Sequence, residues 1–268
     1  MSDDPAGPVP APGSEPGLPA DVADDVRGML RRLAQLADPR TAARVAVDQA
    51  GAAWRSVTRE EPRVWVTSAI VLDIVIMLAL PPRIANHPRW VLPSLAGVLL
   101  IGVFVAKSTR STARSRWLRV VSLSLIAVMS LSNAASAGRL IVDLVRGEGI
   151  RDPAHLLLTG AAIWTSNVIV FGIWYWEFDR GGVVERALGD RTYPDLLFPQ
   201  MTSPELAPPD WEPGFVDYLY VSFTNATAFS PTDVMPMTRW AKLTMMTQSV
   251  ISVVTLALVI ARAVNILR

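Results

Sequence analysis

Residues 153 to 176 read PAHLLLTGAAIWTSNVIVFGIWYW, with no Asp, Glu, Lys or Arg among them. As an α-helix at 1.5 Å per residue this stretch is about 36 Å long, more than the ~30 Å hydrocarbon core of a bilayer. It closes on Trp174-Tyr175-Trp176, residue types that gather at the membrane–water interface, so an interfacial aromatic belt is expected there. A stretch of this kind reads as a membrane span, and it sets the fold class of its surroundings: an all-α polytopic transmembrane bundle.

Working outward, four more strongly apolar spans appear. The first is Val64 to Leu80, anchored by Arg63 and Trp65 and stopped by Pro81-Pro82. The second runs from Trp90 to Ala106. A basic loop with Lys107, Arg110, Arg114 and Arg116 leads into the third, Trp117 to Val145, where Gly138 and Arg139 mark its exit from the apolar zone. The last is Leu243 to Ala261. Between spans four and five lies a polar linker, 177–212, rich in Pro and acidic residues, and then a sixth, more polar membrane-embedded segment, Phe215 to Phe229. The chain thus divides into a tail (1–20), an amphipathic region (21–62), a four-span bundle (63–176), the linker (177–212) and a terminal unit (213–268).

The tail is acidic and rich in Pro and Gly, without the basic and apolar regions of a signal peptide, and is expected to be disordered. In 21–62, Val22, Val26, Met29, Leu30, Leu33 and Leu36 recur at helical steps. Pro39 separates them from Val45, Val47, Trp54 and Val57. Two amphipathic helices are expected, as a cytoplasmic hairpin or lying on the lipid surface. Arginines crowd before the first span and between the second and third, so the positive-inside rule puts the N-terminus in the cytoplasm of a multi-pass protein of the cell (plasma or inner) membrane. Should 215–229 cross, the C-terminus is cytoplasmic; should it dip and return, the C-terminus is external.

Composition narrows the chemistry. The chain has no Cys, two His and a net charge of +1. Thiolate chemistry, disulfides and Cys-based zinc sites are excluded, and neither a metal site nor a nucleic-acid partner is indicated. No nucleophile elbow, phosphate loop, dinucleotide fingerprint or H-E-x-x-H occurs, so no catalytic residue, cofactor or enzyme activity is assigned. Asp73 lies near the middle of the first span. There its ionised form is disfavoured, so it is either protonated or paired, with Asn133, Arg139 or Asn167 as candidate partners. It is either a structural acid between helices or a proton- or cation-sensing group.

Residues 217 to 236, DYLYVSFTNATAFSPTDVMP, concentrate polar side chains between apolar helices. Pro231 and Pro236 forbid one continuous helix, so a short helix ending near Ser230 and irregular backbone beyond it are expected. At membrane depth such backbone survives only against protein or water. The plain alternative is a sixth helix whose polar groups bond its neighbours, with Asp233 capping a surface turn. Tyr218-Leu219-Tyr220-Val221-Ser222-Phe223-Thr224 and Thr232-Asp233-Val234 resemble the near-C-terminal signature of a family of uncharacterised bacterial membrane proteins, a resemblance that spans Val64 to Leu267 and implies kinship of fold but no activity.

More distantly, the stretch resembles the two-helix pore module of potassium channels. In one gapless register Asp217, Leu219, Tyr220, Ser222, Phe223, Thr227, Asp233 and Pro236 match its pore helix and filter flanks. That resemblance implies a homo-oligomer, four chains around an axis, passing a monovalent cation. Asp217 would steady the pore helix, and Thr227, Ser230, Thr232 and Asp233 would line the constriction. The filter departs from the pattern: Ala228-Phe229-Ser230-Pro231-Thr232 lacks both glycines, so potassium selectivity does not carry over. A channel-like module of unknown selectivity is the leading expectation, with a non-conducting scaffold or assembly protein and a lipid-processing enzyme as alternatives.

Overall fold

The helices begin and end where the sequence supplies caps or removes backbone donors. The computed structural model describes residues 64–85, 88–107, 113–147, 150–182, 186, 193–208, 211–227 and 233–267. The expected tail, the amphipathic helices of 21–62 and Ala228 to Thr232 lie outside these residues. Among the described residues seven α-helices carry the fold: α1 (Val64–Ala79), α2 (Val91–Lys107), α3 (Ala113–Val145), α4 (Pro153–Phe178), the four-residue α5 (Pro199–Thr202), α6 (Phe215–Thr227) and α7 (Arg239–Leu267). Two short strands, β1 (Leu196–Leu197) and β2 (Met235–Pro236), pair antiparallel. The fold is therefore mostly helical. Three of its helices, within α3, α4 and α7, are long and apolar enough to cross a membrane, and α1 and α2 are shorter.

Local chemistry explains these bounds. Pro81 has no N–H to continue α1. Gly147, at φ 69°, ends α3 in the left-handed conformation that costs a residue without Cβ little. Arg139 sits inside α3 and reaches back to the carbonyls of Ala85 (2.7 Å) and Ile84 (3.3 Å), tying the turn after α1 to the next helix but one. Asp152 caps α4, accepting the N–H groups of Ala154 and His155 with Pro153 in the first turn.

Helix α4 is the hub. It packs against α1, α3, α6 and α7, while α1–α2, α2–α3, α3–α7, α7–α6 and α6–α1 contacts close a ring around it. Two-thirds of its apolar window (67%) is buried, against 22% for α7, whose Leu243, Met246 and Val250 are exposed. The directions follow from paired contacts. Along α6, Phe215 meets Trp176 of α4 (ring centroids 6.2 Å), Leu219 meets Gly172, and the Ser222 hydroxyl bonds the Val168 carbonyl at 2.6 Å. Along α7, Ser252 bonds Asn167 at 2.8 Å and Val259 meets Gly160. Both helices are antiparallel to α4, and so parallel to each other.

The close approaches depend on two glycines. A Cβ on Gly160 would stand 2.8 Å from a Val259 methyl, and one on Gly172 would stand 3.3 Å from the Leu219 backbone. Gly138 has nothing within 4 Å of that position. Gly160→Ala and Gly172→Ala are each expected to destabilise by about 1–3 kcal/mol through overpacking. Gly138→Ala should hold or raise stability, by at most about 1 kcal/mol from helix propensity. Thermal unfolding in detergent checks the contrast. The His155 side chain and the α4 amides hold the Asp152 carboxyl below its ordinary range. A carboxylate with a depressed folded-state value contributes stability above its unfolded value, and loses it as pH falls through the folded one. Asp152→Ala should therefore lower the melting temperature at neutral pH, with the gap to the parent closing in acid.

Candidate functional site

Where α4 ends, the backbone makes a sharp reversal at Asp179-Arg180-Gly181-Gly182. Arg180 (φ 54°), Gly181 (φ 83°) and Gly182 (φ 103°) all have positive φ. A Cβ at Gly182 would strike the Glu177 carbonyl at 2.7 Å. The strain at Arg180, a position L residues rarely adopt, is offset by its N–H, which donates to Asp195 Oδ2 at 2.7 Å. Asp179, fully buried, accepts from four directions. Its Oδ1 takes the Asp195 and Leu196 amides (3.1 Å each), and its Oδ2 takes the Tyr218 hydroxyl (2.7 Å) and Arg180 Nε (3.3 Å).

Arg186 is also buried. It donates to the carbonyls of Trp176 and of Asp179 (3.0 Å), and its guanidinium lies over the rings of Trp176 and Tyr218. Asp195 accepts Trp240 Nε1 at 2.8 Å, and its carbonyl takes the Met237 amide at 2.8 Å. Two carboxylates and two guanidiniums thus balance inside the protein, and the clamp gathers the end of α4 and the starts of α6 and α7.

One layer deeper, a polar seam joins α4, α6 and α7. Gln248 Nε2 donates to the carbonyl (2.9 Å) and hydroxyl oxygen (2.7 Å) of Ser222. Gln248 Oε1 accepts from the Tyr175 hydroxyl (2.7 Å) and from Asn225 Nδ2 (2.7 Å), and Ser249 donates to Asn225. A third layer lies near the middle of α4. There Asn133 of α3 donates to Asn167 (3.3 Å), and Asn167 donates to Ser252. Asp73 of α1 is fully buried at this level, with Ser166 as its polar neighbour.

The structure distributes the expected site residues unevenly. Asp217 caps α6, accepting the Gly214 amide at 2.8 Å. Ser222 is wholly buried within the seam, Tyr220 is exposed, and the Thr227 hydroxyl returns to the Thr224 carbonyl at 2.7 Å. Asp233 is exposed, just before β2. Ala228, Phe229, Ser230, Pro231 and Thr232 lie outside the described residues.

Two expectations need correction. Asp73 does not pair with Asn133, Asn167 or Arg139: the two asparagines bond each other and the arginine is taken by backbone carbonyls. Trp174-Tyr175-Trp176 does not face outward as a belt would: Tyr175 and Trp176 are buried, the Tyr175 hydroxyl bonds Gln248 at 2.7 Å and the Trp174 indole bonds Ser130 at 2.8 Å. The residues missed by sequence reasoning are Asp179, Arg180, Arg186 and Asp195, all within the polar linker, and Gln248. The last had a signal, an amide inside an apolar span. Compared with known proteins, the chain matches no family model, no curated protein and no solved structure.

Removing one partner from a balanced buried ion cluster leaves an uncompensated charge, a loss of about 3–5 kcal/mol. Asp179→Ala is expected to lose stability on that scale and to detach the start of α6 from α4. Gln248→Leu, which strands neutral partners, should lose about 1–3 kcal/mol. Denaturation in detergent ranks the two.

Proposed function

We propose that the protein is a multi-pass membrane protein whose α6 is a re-entrant helix, and that it works as a channel-like ion-permeation module. One observation carries the reading: α6 and α7 run parallel and start from the same clamp. A helix of 13 residues is about 20 Å long, too short to cross ~30 Å of hydrocarbon. It descends beside α4, reaching mid-depth where Ser222 meets Val168 and Asn225 meets Ser249. The chain is next found at β2, paired with β1 at the entry level. A chain that goes in as a half-length helix and comes back on the same side has dipped, not crossed.

In this reading the C-terminal end of α6, with its partial negative charge, points into the middle of the bilayer and favours a cation there. The filter-like stretch Ala228 to Thr232 follows that end directly, and homo-oligomerisation would bring copies of it together. Helices α1 and α2 complete five crossings with α3, α4 and α7. By the charge rule the dip then opens from the cytoplasm and the C-terminus is external. Potassium-channel pore loops enter from the opposite side, so the resemblance is carried over as sequence register alone, without selectivity.

A second reading, a non-conducting scaffold, is favoured by a specific observation: Ser222 and Asn225, polar groups of α6, are consumed by α4 and α7 rather than left for a passing ion. Two measurements separate these readings. A reporter fused at the C-terminus should signal from outside; a cytoplasmic signal means that α6 crosses. In liposomes the protein should pass a monovalent cation. Because the chain is free of cysteine, Thr227→Cys offers one labelling site, and a charged thiol reagent should reduce that flux. Absence of flux for every monovalent cation at every voltage leaves the scaffold.

A further inference from the structure

The buried carboxyl of Asp73 takes no part in the clamp or the seam. It sits in the middle of α1, 0% exposed, and neither of its oxygens makes a well-formed hydrogen bond; among the described residues the Ser166 hydroxyl is the donor that bears on it. A lone hydroxyl does not tie it to a second helix as the seam residues are tied. A neutral carboxyl that joined helices would give its proton to a carbonyl or amide oxygen, as every member of the seam does. The polar side chain that faces it is Ser166 of α4.

No positive side chain answers Asp73 among the described residues packed against α1. On α4 the groups at its level are Ser166 and Asn167. The titratable groups of α6 are Asp217, Tyr218 and Tyr220, all toward the clamp, with Tyr218 held by Asp179. Helix α2 carries no charge before Lys107, its last residue. Arg139 of α3 is spent on Ala85 and Ile84.

A carboxylate at this depth without a counter-charge is strongly disfavoured by desolvation. We propose that Asp73 is the acid of a mid-membrane binding site for a small monovalent cation, a proton or a sodium ion, with the Ser166 hydroxyl as its first neighbour. Hard oxygen donors suit both occupants. Asp73 and Ser166 belong to α1 and α4, not to α6, so failure of this proposal leaves the reading of the α6 dip untouched.

The test uses the purified full chain, its Asp73→Asn variant and, in case that variant folds poorly, Ser166→Ala. Melting temperature is compared in sodium, potassium and choline chloride, and the carboxyl stretch is followed by infrared difference spectroscopy from mildly acidic to mildly basic pH. Sodium occupancy appears as a melting temperature raised by sodium over choline, an effect lost in Asp73→Asn and shifted to ~tenfold higher sodium in Ser166→Ala. Proton occupancy appears as salt-independent melting with a protonated-carboxyl band that titrates with bulk pH, is absent from Asp73→Asn and moves in Ser166→Ala. Melting that is the same in every salt, together with no titrating band assignable to Asp73, overturns the proposal.

Discussion

The carboxylate of Asp179 holds the terminal half of the fold in register. A helix end leaves backbone groups without partners, and where that end is buried they cannot all be left to water. Asp179 stands at the end of α4 and turns that liability into a junction. One oxygen collects two amides of the returning chain, and the other collects the Tyr218 hydroxyl from the first turns of α6. Asp195 repeats the device on the other side, binding the Arg180 amide and the Trp240 indole at the start of α7. Neither acid would be tolerable in the interior without Arg180 and Arg186, which keep the cluster neutral. Electroneutrality and geometry are thus the same constraint: the charges survive burial because they are arranged, and the arrangement places three helix ends together.

From that junction the rest of the terminal unit follows. With their starts fixed at one level, α6 and α7 run side by side, and the short helix stops about halfway down its neighbours. Glycines at 172 and 160 let α4 approach both closely, and the Ser222–Gln248–Tyr175–Asn225 seam locks their rotation. The seam also sets what α6 has to offer. Polar groups that bond one another are not available to an ion, so a pathway of the kind proposed could not use the flank of α6 that faces α4.

Legibility varied with the kind of information each residue carries. The long apolar helices were readable because hydrophobicity sums over twenty or more positions, so single polar residues such as Asn167 do not hide the span. The end of α1 was readable because Pro81 acts locally through its missing donor. The buried linker was not readable: Asp179, Arg180, Arg186 and Asp195 look like ordinary solvent-facing charges until their partners, as many as 45 residues apart in the chain for Asp195 and Trp240, are brought together. Tyr175 and Trp176 misled for the same reason, since an aromatic ring with a polar tip suits an interface and a satisfied core equally well.

By itself, then, the sequence determined that this is a helical chain with helices long and apolar enough to cross a membrane, where its apolar helices lie, that an acid sits in the middle of one of them, and that the stretch from 217 to 236 cannot be one helix. These properties depend on composition, on covalent geometry and on periodicity, which are local. Only the tertiary structure decided that α4 is the hub, that α6 and α7 are parallel, which polar groups satisfy one another, and that Asp73 is left over. Those are statements about pairing. Pairing is chosen by the balance of desolvation against hydrogen bonds over the whole assembled bundle, and no single segment contains that balance.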